Sequence, residues 1–298
     1  MVDIGFLGLG VMGTPMAGHV LARESGRGGR VTVHHRSPAR VAGLLDAGAQ
    51  WAAAPAALAP ASEMVVLVLP TIADIREAVG GPDGLLAGAT GDLLLVVSST
   101  CSPEEVRDLD RQVRSASRGR VRVVDAPLSG GEEGARAGTL AIMVGGEDAD
   151  AARVVDALGA AGRAVHLGPL GAGQVAKACN QLIVAATVTA TAEVAVVAER
   201  SGLDVAALFD LMLGGYAASR VMQVKAPRYV VHDHSPSGPA KFMVKDLAAF
   251  AEAAAASGTG SVLLPALAPA WAELTASGWG DADTAVMQRW LEDLPPAP

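Results

Sequence analysis

Aromatic side chains are scarce in this chain. Only 3% of its 298 residues are Phe, Trp or Tyr, although 51% are hydrophobic. A core must therefore come mainly from Ala, Val, Leu and Met. Cysteine is scarcer still: Cys101 and Cys179 make no disulfide framework. Charged residues reach 18%, and the formal net charge is -8. That shortage of positive charge argues against nucleic acid or an anionic membrane as partner. Long hydrophobic runs are few. Met64–Leu69 is too short to span a bilayer. Leu182–Val197 is longer, but Thr187, Thr189, Thr191 and Glu193 interrupt it, and it reads as a buried helix of a soluble protein. Near the start, Asp3 breaks the apolar pattern and no basic stretch precedes it. No targeting segment is expected, and the expected location is cytoplasmic.

What is present is a strand-helix alternation. Strands are predicted at Ile4–Leu7, Arg30–His34, Ala49–Trp51, Met64–Leu69, Leu93–Val97, Val121–Asp125, Ala141–Val144 and Val165–Leu167. Helices are predicted between the early strands, at 14–25, 38–47, 72–78 and 103–116, the last with Ser102 as its cap. Such units build a mostly parallel, doubly wound α/β sheet of the Rossmann type. Past Gly168 the strand signals vanish. A long helix over 174–200 is predicted, then helices at 205–212, 219–224, 241–256, 261–276 and 283–291. The expected division is a dinucleotide-binding domain over 1–168 and a helical domain over 169–298, joined by the long helix. His232–Gly238 reads as a loop, and residues 295–298 as a frayed tail.

Gly8-Leu9-Gly10-Val11-Met12-Gly13 follows a strand and opens a helix. In that setting Gly8 permits the tight turn, Gly10 lets backbone approach a pyrophosphate, and Gly13 allows close helix-strand packing. The helix N-terminus offers free N–H groups to phosphate. A merely structural glycine turn is the competing reading. The second strand ends at His34-His35-Arg36-Ser37, without the Asp or Glu that would bond a ribose 2′-hydroxyl. Arg36 can pair with a 2′-phosphate and Ser37 can add a hydrogen bond. NADP is therefore preferred over NAD, although Arg36 can also stack on adenine with either. Leu69-Pro70-Thr71 and Thr100 lie at strand ends that face a cofactor in such a sheet. Either threonine can equally be a helix-start hydroxyl.

Asp125-Ala126-Pro127-Leu128-Ser129-Gly130-Gly131 begins a polar, glycine-rich loop continued by Gly134, Gly138 and Thr139. Ser129 and nearby N–H groups can grip a carboxylate. Lys177 stands near the start of the long helix, in Gly171-Ala172-Gly173-Gln174-Val175-Ala176-Lys177. A lysine there can give a proton to a carbonyl being reduced, or take one from a hydroxyl being oxidised. A snorkelling lysine is the alternative, weakened because a cation opposes the helix dipole. Asn180 and Gln181 share roughly its face and can orient a substrate. Lys245 can reach a cofactor while Asp246 makes a structural pair, or the two can form a surface pair. His232, Asp233 and His234 are too crowded in one loop to argue for a metal, and no metal is expected.

These stretches resemble the beta-hydroxyacid dehydrogenase family over essentially the whole chain. Gly5–Ala17 is similar to its N-terminal signature, Asp125–Gly131 to its substrate signature, Gly171–Gln181 to its catalytic signature, and Lys245-Asp246-Leu247 to its late cofactor-facing element. The resemblance implies a Rossmann domain, a helical second domain and an active site between them. It assigns Lys177 as catalytic, Ser129, Gly130 and Gly131 as substrate contacts with Asn180 and Gln181 in support, and Lys245 as a cofactor neighbour. It also implies a homodimer or homotetramer. Within the family, Asn180-Gln181, Gly214–Ser219 and Lys225-Ala226-Pro227 are most like the tartronate semialdehyde (2-hydroxy-3-oxopropionate) reductases, while Ala186–Thr189 departs from them. A 3-hydroxyisobutyrate dehydrogenase is the nearest alternative. Glyoxylate, succinic semialdehyde and imine reductases, and a non-enzymatic dinucleotide-sensing module, stand further off.

Overall fold

The runs Ile4–Leu7, Met64–Leu67 and Leu93–Val97 are apolar and buried at every position, because both faces of the sheet are covered there. In this computed structural model, which describes residues 2–295, the strands are β1 (Ile4–Leu7), β2 (Val31–His34), β3 (Gln50–Ala52), β4 (Met64–Leu67), β5 (Leu93–Val97), β6 (Val121–Asp125), β7 (Leu128–Ser129), β8 (Leu140–Gly145) and β9 (Gly162–Gly168). Of the predicted tail, residues 296–298 lie outside the described residues. The spatial order is β3-β2-β1-β4-β5-β6-β8-β7, with β9 against β8. From β3 to β6 every pairing is parallel, with Gly5 between Thr32 and Val65; β8 runs antiparallel to β6 and β7. The chain leaves β1 toward one edge and returns at β4 toward the other. The carboxyl ends of β1 and β4 therefore flank the topological switch point, where such sheets bind ligands.

Side chains alternate across the pleat and feed two cores. Ile4, Phe6, Met64, Val66, Leu94 and Val96 meet helix α1 (Gly13–Ser25) on one face. Leu7, Val65, Leu67, Leu93, Leu95 and Val97 form the other. The intervening helices are α2 (Ala42–Asp46), α3 (Pro55–Leu58), α4 (Ile72–Gly80), α5 (Leu85–Gly88), α6 (Pro103–Ser117), α7 (Gly131–Ala137) and α8 (Asp148–Leu158). Ile75 and Val79 of α4, and Val106, Leu109 and Val113 of α6, close the second core. Each such side chain contributes about 1.5–3 kcal/mol by burial. The Ser102 cap of α6 is present, as a capping box with Glu105.

Several elements differ from expectation: Leu85–Gly88 is an unexpected short helix, and the helix expected at 219–224 runs over Arg220–Val230. The glycine-rich stretch after Asp125 is not all loop: Gly131–Ala137 is helical, with Glu132 and Glu133 in the first turn, an Arg136–Glu132 ion pair, and Gly138 in the left-handed region as its stop. The two-residue β7 pairs with β8, and its Leu128 packs into the first core. Helix α8 was not predicted; its Ala151, Val154, Ala157 and Leu158 supply a narrow buried stripe.

The chain divides into two compact units, Met1–Lys177 and Ala178–Pro298. The division falls inside the 29-residue helix α9 (Ala172–Arg200). The second unit is helical throughout: the rest of α9, then α10 (Val205–Leu213), α11 (Arg220–Val230), α12 (Lys241–Ala256), α13 (Leu264–Leu274) and α14 (Met287–Glu292). By length and mean hydropathy, 1.7, α9 is apolar enough to cross a membrane. Yet Ala185, Val188, Ala192 and Ala195 recur at helical spacing and pack with Phe209, Tyr229 and Trp271 into the helical core, as a core helix does.

Candidate active site

The loop after β1 is shaped for an anion. Gly8 has φ +96°, and a Cβ there would lie 2.2 Å from the Val68 carbonyl oxygen of the neighbouring strand's extension. A Cβ on Gly13 would lie 2.1 Å from the Gly8 oxygen. Gly10 has nothing within 4 Å of such an atom, so the space above it is open. Helix α1 starts beside it with no side-chain cap and no acidic residue in its first turn. Of its first N–H groups, that of Thr14 is bonded to the Gly10 oxygen at 3.1 Å and Pro15 has none, so a phosphate would be met by the N–H groups of the turn itself. Leu9 is buried, Met12 half-buried, and Val11 points outward, 64% exposed. These features fit the pyrophosphate of a dinucleotide.

At the end of β2 the polar groups are sorted by burial. His34 Nδ1 lies 2.9 Å from the Ala52 oxygen, inside the sheet. His35 Nδ1 is 3.0 Å from both the backbone N and O of Ser37, and Trp51 Nε1 donates to the His35 oxygen at 3.3 Å. Arg36 and Ser37 are exposed. Past β4, Thr71 forms a capping box with Asp74, its hydroxyl donating at 2.7 Å, which makes it a helix cap for α4. Leu69 is tied to the next strand: its N–H donates to Ser99 Oγ at 3.0 Å, and that hydroxyl donates back to the Leu69 oxygen at 2.5 Å. Thr100 follows, half-buried.

Lys177 is 8% exposed. The start of its helix is held from below by residues that sequence reading passed over. Asp125, at the end of β6 and 0% exposed, accepts from Gly171 N and from Gln174 N, each at 2.7 Å. Its two oxygens thus satisfy two of the four N–H groups that a helix start leaves open. Burial raises the Asp125 carboxyl to about 6, against the lowering effect of those two bonds and of Arg107. Gln174, also buried, donates from Nε2 to the Ser99 oxygen at 2.9 Å and accepts from Cys101 N at 3.1 Å. Arg107 of α6 donates to the Leu170 oxygen at 3.2 Å, just ahead of the helix. A charged residue closing an apolar central strand was the available signal for Asp125. Ser129 is half-buried on β7, and Gly130 and Gly131 are exposed with φ of +132° and +62°.

In the helical unit, Asn180 Nδ2 donates to Gln181 Oε1 at 2.9 Å, and Gln181 Nε2 donates to Asp246 Oδ2 at 2.5 Å. Asp246 is buried, and its other oxygen lies 3.5 Å from Lys245 Nζ. The Lys245 ammonium also lies 5.7 Å from the centre of the Phe242 ring. His232 does meet carboxylates, but not those beside it in sequence. Its Nε2 is 2.9 Å from Glu199 and its Nδ1 3.3 Å from Glu292. These three could hold an ion by their spacing, although Arg289 already pairs with Glu292 at 3.3 Å.

Comparison with known proteins agrees with this arrangement. The NAD binding domain of 6-phosphogluconate dehydrogenase matches residues 3–171, and the NAD-binding domain of NADP-dependent 3-hydroxyisobutyrate dehydrogenase matches residues 171–291. Fold and site define an NAD(P)-dependent oxidoreductase. The chain belongs to the beta-hydroxyacid dehydrogenase family, whose members include the 3-hydroxyisobutyrate dehydrogenases. It is 40% identical to 3-hydroxyisobutyrate dehydrogenase of Pseudomonas aeruginosa, over 71% of this chain and 69% of that one. It is 34% identical to 2-hydroxy-3-oxopropionate reductase of Escherichia coli, over 83% and 82%. The solved structure of Mycobacterium tuberculosis 3-hydroxyisobutyrate dehydrogenase with L-serine is 30% identical and superposes with a TM-score of 0.81, over 98% of this chain and 99% of that one.

Proposed function

We propose that this protein interconverts a short 3-hydroxy acid of the 3-hydroxyisobutyrate type and its semialdehyde, using NADP in preference to NAD, with Lys177 handling the proton. The observation that carries the reading is a lysine buried at the start of α9. The dinucleotide, when bound, supplies or accepts the hydride. Gly8 to Gly13 would hold its pyrophosphate, Arg36 and Ser37 the 2′-phosphate, and His35, Leu69, Pro70, Thr71, Thr100 and Lys245 its remaining edges. Ser129, Gly130 and Gly131 would bind the substrate carboxylate. Asn180 and Gln181 would orient the hydroxyl-bearing carbon. In oxidation the neutral Lys177 amine takes the hydroxyl proton; in reduction its ammonium returns one to the forming alkoxide.

The P. aeruginosa and M. tuberculosis relatives support the 3-hydroxyisobutyrate reading, and L-serine, bound in the latter, has the same 3-hydroxy acid plan. A second reading, reduction of tartronate semialdehyde, is favoured by the Asn180-Gln181 pair and the E. coli relative. The two substrates differ by a methyl against a hydroxyl. A pocket built to bond that hydroxyl rejects the methyl strongly, because its polar groups would stay unpaired. Turnover of 3-hydroxyisobutyrate and L-serine with NADP, beside glyoxylate and the semialdehydes of tartronate, methylmalonate and succinate with NADPH, separates them. Preference for 3-hydroxyisobutyrate is expected; preference for tartronate semialdehyde would replace it with the second reading. Lys177→Ala should cost roughly 10²–10⁴-fold in kcat and spare NADPH binding. Wild-type turnover in that variant would sink the proton role. Arg36→Ala should weaken NADPH by roughly 10–100-fold and NADH little, as loss of a charge-assisted phosphate contact requires. We also expect a homodimer or homotetramer, to be read by light scattering.

A further inference from the structure

We infer that Asp125 and Gln174 are positioning residues that fix the height and direction of Lys177 by pinning the first turn of its helix to the carboxyl edge of the sheet. The inference rests on the proposed role of Lys177. The pinning is continuous across three strand ends. The Leu69 backbone beyond β4 is bonded both ways to the Ser99 hydroxyl beyond β5. The Ser99 carbonyl and the Cys101 N–H are bonded to the two ends of the Gln174 amide. One residue's backbone N–H, that of Gln174, is bonded to Asp125 at the end of β6, and so is that of Gly171.

Apart from the half-buried Leu69, each of these residues is buried, so each bond is enforced by the cost of leaving its partner dry and unpaired. Lys177 follows Gln174 by three residues, roughly 4.5 Å of helix rise, so little freedom separates the anchor from the amine's Cα. The packing leaves no slack for the helix start to slide. A Cβ on Gly173 would lie 2.2 Å from the Met143 oxygen and 2.7 Å from Asp125 Oδ2, and one on Gly145 would lie 2.4 Å from Asp125 Oδ1. Asp125 also brings an anion to the positive end of the helix dipole, which offsets the penalty of carrying an ammonium in the second turn. Neither residue needs to touch substrate to act in this way.

The test compares Asp125→Asn, Gln174→Ala and the volume-matched Gln174→Met with Lys177→Ala. Turnover is expressed per NADPH-binding site, so that misfolded protein is not counted. The anchor variants should lose roughly 10–100-fold in kcat, as a displacement of about 1 Å does. Their KM and their NADPH dissociation constants should stay within about threefold. Hydrogen exchange of the Gly171 and Gln174 amides should quicken in Asp125→Asn. A purely structural role would lower the melting temperature and the number of NADPH sites while kcat per site stayed at the wild-type value. That result overturns the inference, as does a rise in KM with kcat unchanged. If the first two variants fail to fold, Gln174→Met decides by the same readings. Active Lys177→Ala would instead remove the reading on which the inference stands, whatever the anchors did.

Discussion

Each unit of this molecule buries one aspartate completely, and the two are held in opposite ways. Asp125 of the sheet unit is satisfied by backbone alone, through Gly171 N and Gln174 N. Asp283 of the helical unit also accepts from backbone, from Gly238 N at 3.1 Å and Ala285 N at 2.9 Å. To these it adds the Ser237 hydroxyl at 2.6 Å and the Lys225 ammonium at 2.6 Å. Burial pushes both carboxyls upward. At Asp125 it wins, and the group reaches about 6; at Asp283 the Lys225, Ser237 and Ala285 bonds overcome it, and the group falls to about 2. Two N–H donors are therefore enough to place a buried carboxylate, and a cation is needed to keep it comfortably charged. The carboxylate beneath the start of the Lys177 helix has the less comfortable arrangement.

The comparison breaks most visibly at Asp283. Asp283→Ala leaves the half-buried Lys225 without its carboxylate and should destabilise the helical unit by about 3–5 kcal/mol in chemical denaturation. Asp125→Asn deletes a costly charge along with a good acceptor, so its loss should be smaller, about 1–3 kcal/mol. A loss at Asp125 equal to that at Asp283 would erase the distinction.

Acidification sharpens it further, because the signs differ. Between its ordinary 3.8 and about 6, Asp125 binds a proton in the folded chain and not in the unfolded one. Its contribution should therefore become more stabilising as pH falls from 7 through 6 toward 4. Asp283 keeps its stabilisation above 3.8 and loses it as pH falls toward about 2. Calorimetry from pH 7 to 3 on the wild type and the two variants should show the upper effect vanish in Asp125→Asn and the lower one vanish in Asp283→Ala. The smallest effects come from the helix caps. Ser102→Ala in the sheet unit and Ser219→Ala in the helical unit should each cost about 1 kcal/mol, since each hydroxyl accepts one open N–H, from Glu105 and Met222.

The cofactor half was legible because its signals are local. A four-residue apolar strand, a glycine turn and a helix start adjoin one another in Ile4–Ser25, and their order alone implies the switch-point geometry. Lys177 was conspicuous, as a charge in an Ala/Val helix. Its anchors were not, because Asp125 meets its partners 46 and 49 residues later. Separation in sequence likewise hid the partner carboxylates of His232, Glu199 and Glu292. Helix α8 escaped because half of its short apolar stripe is alanine, which carries weak hydrophobic contrast. The aromatic shortage was read as a rule for the whole core, yet Trp271, Tyr229 and Phe209 sit together in the helical one. Composition averages over units that pack differently.

The close fit of Gly145 and Gly173 around Asp125 bears on how this chain tolerates change. Neither glycine has a side chain with which to recognise anything, and any larger residue at either position collides with backbone or carboxylate. In a saturating mutational library, both should be as intolerant as Lys177 itself. A map of permitted substitutions would then draw its tightest contour not around the ligand but around the anchor of a helix, and anyone reading function from that map would count scaffolding as chemistry.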